Sequence, residues 1–238
     1  TRQITEFKKI LKNYQDYTII AERKGILKPK TAVDYRSRLN QLRIFMEESD
    51  CKIKFVYQFD RTFAVDFLDY LILDKDVSAK TRNNYRTWLS TLANWLCERE
   101  YLEKNPIEGI PFTREKDKLR DALSVSALSS LKSFALRACP NFYLACMMEY
   151  YTFIRPGELR YIRLGDISIK DQTVYVSSDV SKNRKGQAVA LNDTLLKYMI
   201  QLHIFDYPSQ YYLFGKDMVP GEEQIYINRF RMEWMKVR

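Results

Sequence analysis

Lys80, Arg82, Asn84 and Arg86 crowd the polar start of the stretch AKTRNNYRTWLSTLANWLC, and no acidic side chain follows until Glu98. Such a cluster of donors can be an ordinary wet helix face. Without carboxylates to neutralise it, it suits contact with DNA, the cations holding phosphates and the asparagine amide placed to read a base edge. Two further cations stand in conspicuous settings. Arg155 follows an apolar run and precedes a proline in YTFIRPGELRYIRLGDI, and Lys182 opens the polar stretch KNRKG between two apolar segments. An arginine fork can grip two phosphate oxygens and never loses its proton. Arg155 also has Glu158 and Asp166 nearby in sequence, so a purely local ion pair is the competing reading. Metal chemistry has little to work with. The chain holds a single histidine, His203, and four cysteines (Cys51, Cys97, Cys139 and Cys146) with no CxxC pair, so neither a metal nor a cofactor is expected.

These residues need elements to position them. The 238 residues are 46% hydrophobic and 14% aromatic, enough for packed cores, and only seven glycines and seven prolines favour helices. Ile4, Phe7, Ile10 or Leu11, Tyr14 and Tyr17 recur at helical spacing, and Gly25 is placed to end that helix. Thr31, Asp60 and Ser78 are candidate N-caps of three more helices. Residues 105–120 (NPIEGIPFTREKDKLR) read as a linker. Beyond it, Ser124 can cap a short helix, a more apolar helix runs from Asn141 to about Phe153, and another starts after Pro156. Period-two patterns in TVYVSS and QAVAL, around SKNRKG, predict a β-hairpin with Gly186 in its turn region. Asp193 caps a further helix, a YLFG strand or turn follows, and a last helix starts near Glu222.

The net charge of +9 is spread over the chain, with 20 basic and 16 acidic residues up to residue 112 and 19 and 14 beyond it. A basic balance raises affinity for polyanions, so both halves are expected to touch a nucleic acid partner. No apolar run approaches a membrane span, and the cysteine usage suits a reduced, cytoplasmic setting.

Residues 151–167 resemble the first catalytic arginine motif of the tyrosine recombinases, or phage-type integrases. The matching positions are Thr152, Arg155, Glu158, Leu159, Leu164, Asp166 and Ile167. Phe153 departs from the pattern, standing where the family commonly has a glycine. The hairpin is similar to the family's lysine-bearing turn, with Lys182 favoured over Lys185, and TRNNYRTWLSTLANWLCEREYLEKNP to the last helix of its core-binding domain. The resemblance implies a mainly α fold with a small antiparallel β element. It divides the chain into a helical SAM-like core-binding domain over 1–108, a linker over 109–120 and the first part of an α+β catalytic domain over 121–238. It also implies site-specific recombination of duplex DNA, with self-association on DNA in the full-length parent. In that chemistry Arg155 stabilises charge on the phosphate, Lys182 donates a proton to the leaving 5′ oxygen, and a tyrosine forms a covalent phosphotyrosine. The family's His-x-x-Arg motif and nucleophilic tyrosine have no counterpart here. His203 is followed by Ile204, Phe205 and Asp206, and Tyr211, Tyr212 and Tyr226 precede the expected place. The chain is therefore expected to be a fragment that binds DNA without cleaving it. A non-catalytic DNA-binding regulator or architectural protein with a recombinase-like fold is the alternative.

Overall fold

A computed structural model describes residues 2–49, 53–115, 122–181 and 185–237. The chain forms two compact units, residues 1–119 and 120–238, each with its own apolar core.

The first unit is built from four helices, α1 (Phe7–Arg23), α2 (Pro29–Glu48), α3 (Arg61–Leu73) and α4 (Ala79–Cys97). On α1 the buried positions Phe7, Ile10, Leu11, Tyr14, Thr18 and Ala21 follow the helical period, and Gly25 ends the turn beyond it at φ +70°. Asp60 and Ser78 cap as expected, accepting from the N–H groups of Phe63 (2.9 Å) and Thr81 (3.2 Å). Thr31 does not. Pro29 takes the first position of α2 and Lys28 is the N-cap, because proline's fixed φ and missing N–H suit a first turn that has no partner for that donor. Phe45 joins the core of the unit, its ring 5.3–5.6 Å from those of Phe63 and Phe67 and 5.0 Å from Tyr70. The segment after α4 is less of a linker than its composition suggests. Ile107 and Ile110 are buried in the same core, so the chain stays on the first unit well past residue 105.

The second unit carries α5 (Val125–Ala138), α6 (Pro140–Thr152), the single turn α7 (Pro156–Leu159), α8 (Asp193–Gln201) and α9 (Arg229–Val237) around a three-stranded antiparallel sheet. Ser124 caps α5 through Ala127 N–H at 3.1 Å. The expected hairpin is β2 (Thr173–Val176) with β3 (Gln187–Ala190), in register from Thr173↔Ala190 to Val176↔Gln187. A two-residue strand, β1 (Ile167–Ser168), adds to the other side of β2; it is too short to show a period in the sequence. The cap of α8 is Asn192, which accepts from Leu195 N–H at 2.8 Å, one residue before the expected Asp193. The last helix also differs. Residues 221–225 are not helical but bridge back to 212–215, burying Leu213, Phe214 and Ile225, and α9 starts only at Arg229. Among the described residues no helix is long and apolar enough to cross a membrane.

Two positions in this unit have opposite needs for glycine. At Gly215 an added Cβ would meet Val219 O at 2.8 Å and the backbone of Gly221 at 3.0 Å, and backbone atoms cannot swing aside. Phe153 ends α6 in the left-handed region (φ 57°, ψ 16°) and is 86% exposed, so it bears the conformational cost with little packing return. Gly215→Ala should therefore destabilise the second unit by about 1–3 kcal/mol, whereas Phe153→Gly should stabilise it by about 1 kcal/mol. Denaturant titration of both variants checks the opposite signs.

Candidate phosphate-binding site and nucleic-acid interface

Arg155 is placed by the way α6 ends. The Thr152 hydroxyl donates to the carbonyl of Met148 and accepts from Ile154 N–H at 3.2 Å, tying the last turn to the residue after it. Phe153 then reverses the chain, and Ile154 (2% exposed) turns into the core. Pro156 restricts the residue before it to extended backbone, and Arg155 lies there at φ −69°, ψ 149°, as the N-cap of α7. Glu158, itself 7% exposed, reaches back with its carboxylate to Arg155 N–H (3.2 Å) and to the guanidinium (3.1 Å). The Arg155 side chain remains 54% exposed. The local ion pair and the presented cation are thus one arrangement: a buried carboxylate holds one nitrogen of a fork that stays more than half exposed. Asp166 has a separate task, accepting from Arg163 N–H at 2.8 Å.

The neighbouring arginines are committed elsewhere. Arg160 donates to Ile225 O (3.0 Å) and Gln224 Oε1 (3.2 Å), and Gln224 returns a bond to Arg160 O (3.0 Å). Arg163 donates to Gln210 O (2.6 Å) and lies 4.4 Å over the Tyr212 ring. Both fasten the 210–225 segment, a role that nothing in their spacing announces. Lys182 lies outside the described residues. Its hairpin neighbour Lys185 is exposed, just before β3. His203 pairs with Asp206 on the surface at 3.0 Å. Burial pushes the Cys146 thiol up to about 11, and Cys97 and Cys139 are likewise free and raised by burial.

The donor cluster on α4 is split. Lys80 and Asn84 are exposed, as its spacing suggests. Arg82 is only 7% exposed and donates to Pro111 O at 3.2 Å. Arg86 donates to Ile110 O (3.0 Å) and Ile107 O (3.5 Å), with its guanidinium 4.3 Å over the Phe112 ring. Both arginines thus have an inward partner that the sequence does not show. Their forks are turned onto the backbone of the following segment, which has no helix or strand to satisfy its carbonyls. Asn83, which the sequence reading passed over, is 6% exposed and pairs with Thr113 in both directions: Thr113 N–H donates to its Oδ1 (2.9 Å) and its Nδ2 donates to Thr113 O (2.8 Å).

Residues 5–116 match the family model of the phage integrase SAM-like domain. A tyrosine recombinase of Pseudothermotoga lettingae is 25% identical over 188 residues, 79% of this chain and 63% of its own length. Together these likenesses support the tyrosine recombinase family. A protein of Escherichia coli strain K12, carried under a name that calls it a defective protein, IntQ, is 32% identical over 119 residues, 49% of this chain and 29% of its own length. The fold is similar to that of a lambda integrase chain solved as a tetramer bound to a Holliday junction (TM-score 0.72, 17% identity, covering 98% of this chain and 65% of that one). A Tn1549 transposon integrase in complex with circular intermediate DNA shares it as well (TM-score 0.64, 14% identity, covering 93% and 78%). The chain thus spans less than two thirds of the length of these two curated relatives.

The Arg155–Glu158 arrangement gives a direct expectation. Glu158→Ala removes the carboxylate that caps α7, so amide exchange at Arg155 should quicken by about ten-fold or more, the equivalent of one charge-assisted hydrogen bond. Hydrogen exchange read by NMR measures it, and an unchanged rate would leave the cap without consequence.

Proposed function

We propose that this chain is the DNA-binding and phosphate-binding part of a site-specific recombinase acting on duplex DNA, with strand cleavage and rejoining through a phosphotyrosine in the full-length parent. The observation that carries it is Arg155: at the matched motif position, capped from below by a buried carboxylate and open on its outer edge. Metal-free phosphodiester cleavage needs fixed cations around the phosphate before and during attack, and a guanidinium held on one side has little reorganisation left to do. Lys182 is proposed as the proton donor to the leaving 5′ oxygen, with Lys185 as the next candidate. Lys80 and Asn84 are proposed to face DNA from α4, Lys80 on phosphate and Asn84 on a base edge. Thr152, Glu158 and Asp166 are positioning residues. The nucleophilic tyrosine is not assigned within these residues, and self-association on DNA is proposed for the parent.

In the parent, Arg155→Ala should abolish cleavage of a suicide substrate, and Arg155→Lys should recover little because the fork is lost. Lys182→Ala should slow cleavage while leaving binding nearly intact, and a substrate with a 5′ thiolate leaving group should relieve the defect, since that group departs without protonation. Equal rates on oxygen and sulfur substrates would remove Lys182 from the acid role.

This chain itself should bind duplex DNA with strong salt dependence and form no covalent adduct. Lys80→Ala should lower the slope of log affinity against log salt by about one unit. A covalent adduct on a nicked duplex would show that this chain carries a nucleophile, and affinity indifferent to salt would favour a different partner.

A further inference from the structure

The segment that leaves α4 runs back along it, held at successive turns. Asn105 (7% exposed) donates to Ser90 O, Ser90 Oγ and Asn94 Oδ1 at 3.2, 3.0 and 2.7 Å, and accepts from Ile107 N–H at 2.9 Å. Nearer the start of α4, Arg86 holds Ile107 and Ile110 while Arg61 of α3 donates to Glu108 O (3.4 Å) and Gly109 O (3.3 Å). At its first turns, Arg82 holds Pro111 and Asn83 holds Thr113 and, through Nδ2 at 3.1 Å, Glu115 Oε1.

The two ends of this zipper serve different purposes. Up to Ile110 the segment is fixed by burial, since Ile107 and Ile110 are 0% and 2% exposed. Residues 111–115 are all exposed and contribute no side chain to the core. Burying an arginine and an asparagine is costly unless their bonds are made. Here the bonds are spent on a stretch of chain that adds no core, so what they determine is its path.

We infer that Asn83, together with Arg82, is a positioning residue for the connection between the two units. The pair carries the chain back to the start of α4, beside the proposed DNA-facing residues Lys80 and Asn84, and holds it there as far as Glu115. The affinity consequence rests on the proposed DNA reading; the geometric one does not. Losing the pair removes the hydrogen bonds that hold residues 111–115, about 17 Å of chain at full extension, and leaves the Arg86–Phe112 contact on that stretch. A longer connection lowers the effective concentration of one unit at the other's DNA site, by about two-fold where its free length grows by roughly half.

The test uses the full chain with Arg82→Ala/Asn83→Ala, and Asn83→Asp as a shape-preserving second variant that loses both Nδ2 donors and faces the Glu115 carboxylate. For Arg82→Ala/Asn83→Ala the expected result is amide exchange at Thr113 faster by about ten-fold, and for both variants a broader distribution of distances between fluorophores at Lys9 and Lys170, measured without DNA. Duplex binding should weaken about two-fold with an unchanged salt slope. Unchanged inter-unit distances despite faster Thr113 exchange would overturn the inference. A salt slope lowered by about one would overturn it too, returning Arg82 to a phosphate contact. If the unaltered chain shows no salt-dependent duplex binding, the DNA reading fails while the distance measurement still decides the positioning role.

Discussion

Backbone carbonyls outside helices and strands still require donors, and in this protein arginine forks supply many of them. Arg61 and Arg86 close over residues 107–110, Arg82 over Pro111, Arg160 over Ile225 and Arg163 over Gln210. A guanidinium is suited to this because its five donors lie in one plane and it stays charged in a partly buried place. The segments so fastened connect the regular elements and direct the chain from one to the next. If those forks were removed, the helices would retain their own hydrogen bonds, but the 107–115 and 210–225 segments would lose the donors that fix their course.

The same accounting separates the arginines that can meet a phosphate from those that cannot without breaking structure. A bidentate grip needs two free donors in one plane. Arg86, Arg160 and Arg163 each give two donors to nearby oxygens, and Arg82 gives one from a side chain only 7% exposed. Arg155 is held by a carboxylate on one edge and remains more than half exposed. Its position follows from short-range rules acting in sequence. Phe153 reverses the chain, Ile154 is drawn inward, and Pro156 forces extended backbone at the residue before it. Glu158, three residues on, then sits where a helical first turn places a capping carboxylate.

Net positive charge also takes on a more specific meaning. All 39 lysines and arginines contribute to the long-range field that draws a polyanion, buried forks included. Short-range contact is a narrower matter, since it requires a donor that is both exposed and uncommitted. Basic residues in the donor cluster of α4 split along this line, and the split follows the helical period: positions 80 and 84 share the outer face, whereas 82, 83 and 86 face the returning segment.

The amino-acid sequence by itself determined the helix starts at Asp60, Ser78 and Ser124, the β2–β3 pairing and the arginine motif, because caps, period-two alternation and short motifs are local and are written in adjacent residues. It also determined where glycine freedom ends α1. It misplaced the caps at Thr31 and Asp193 by small shifts, because a neighbouring Pro29 or Asn192 competes for the same place and local rules rank such rivals poorly. Only the tertiary structure decided the start of α9, where residues 221–225 gain more by bridging to 212–215 and burying Ile225 than by extending a helix. Only it decided that Arg82 and Arg86 turn inward, since the carbonyls they satisfy lie more than 20 residues along the chain. A side chain's type fixes what it can donate; which acceptor it finds depends on how distant segments are packed, and no local pattern encodes that.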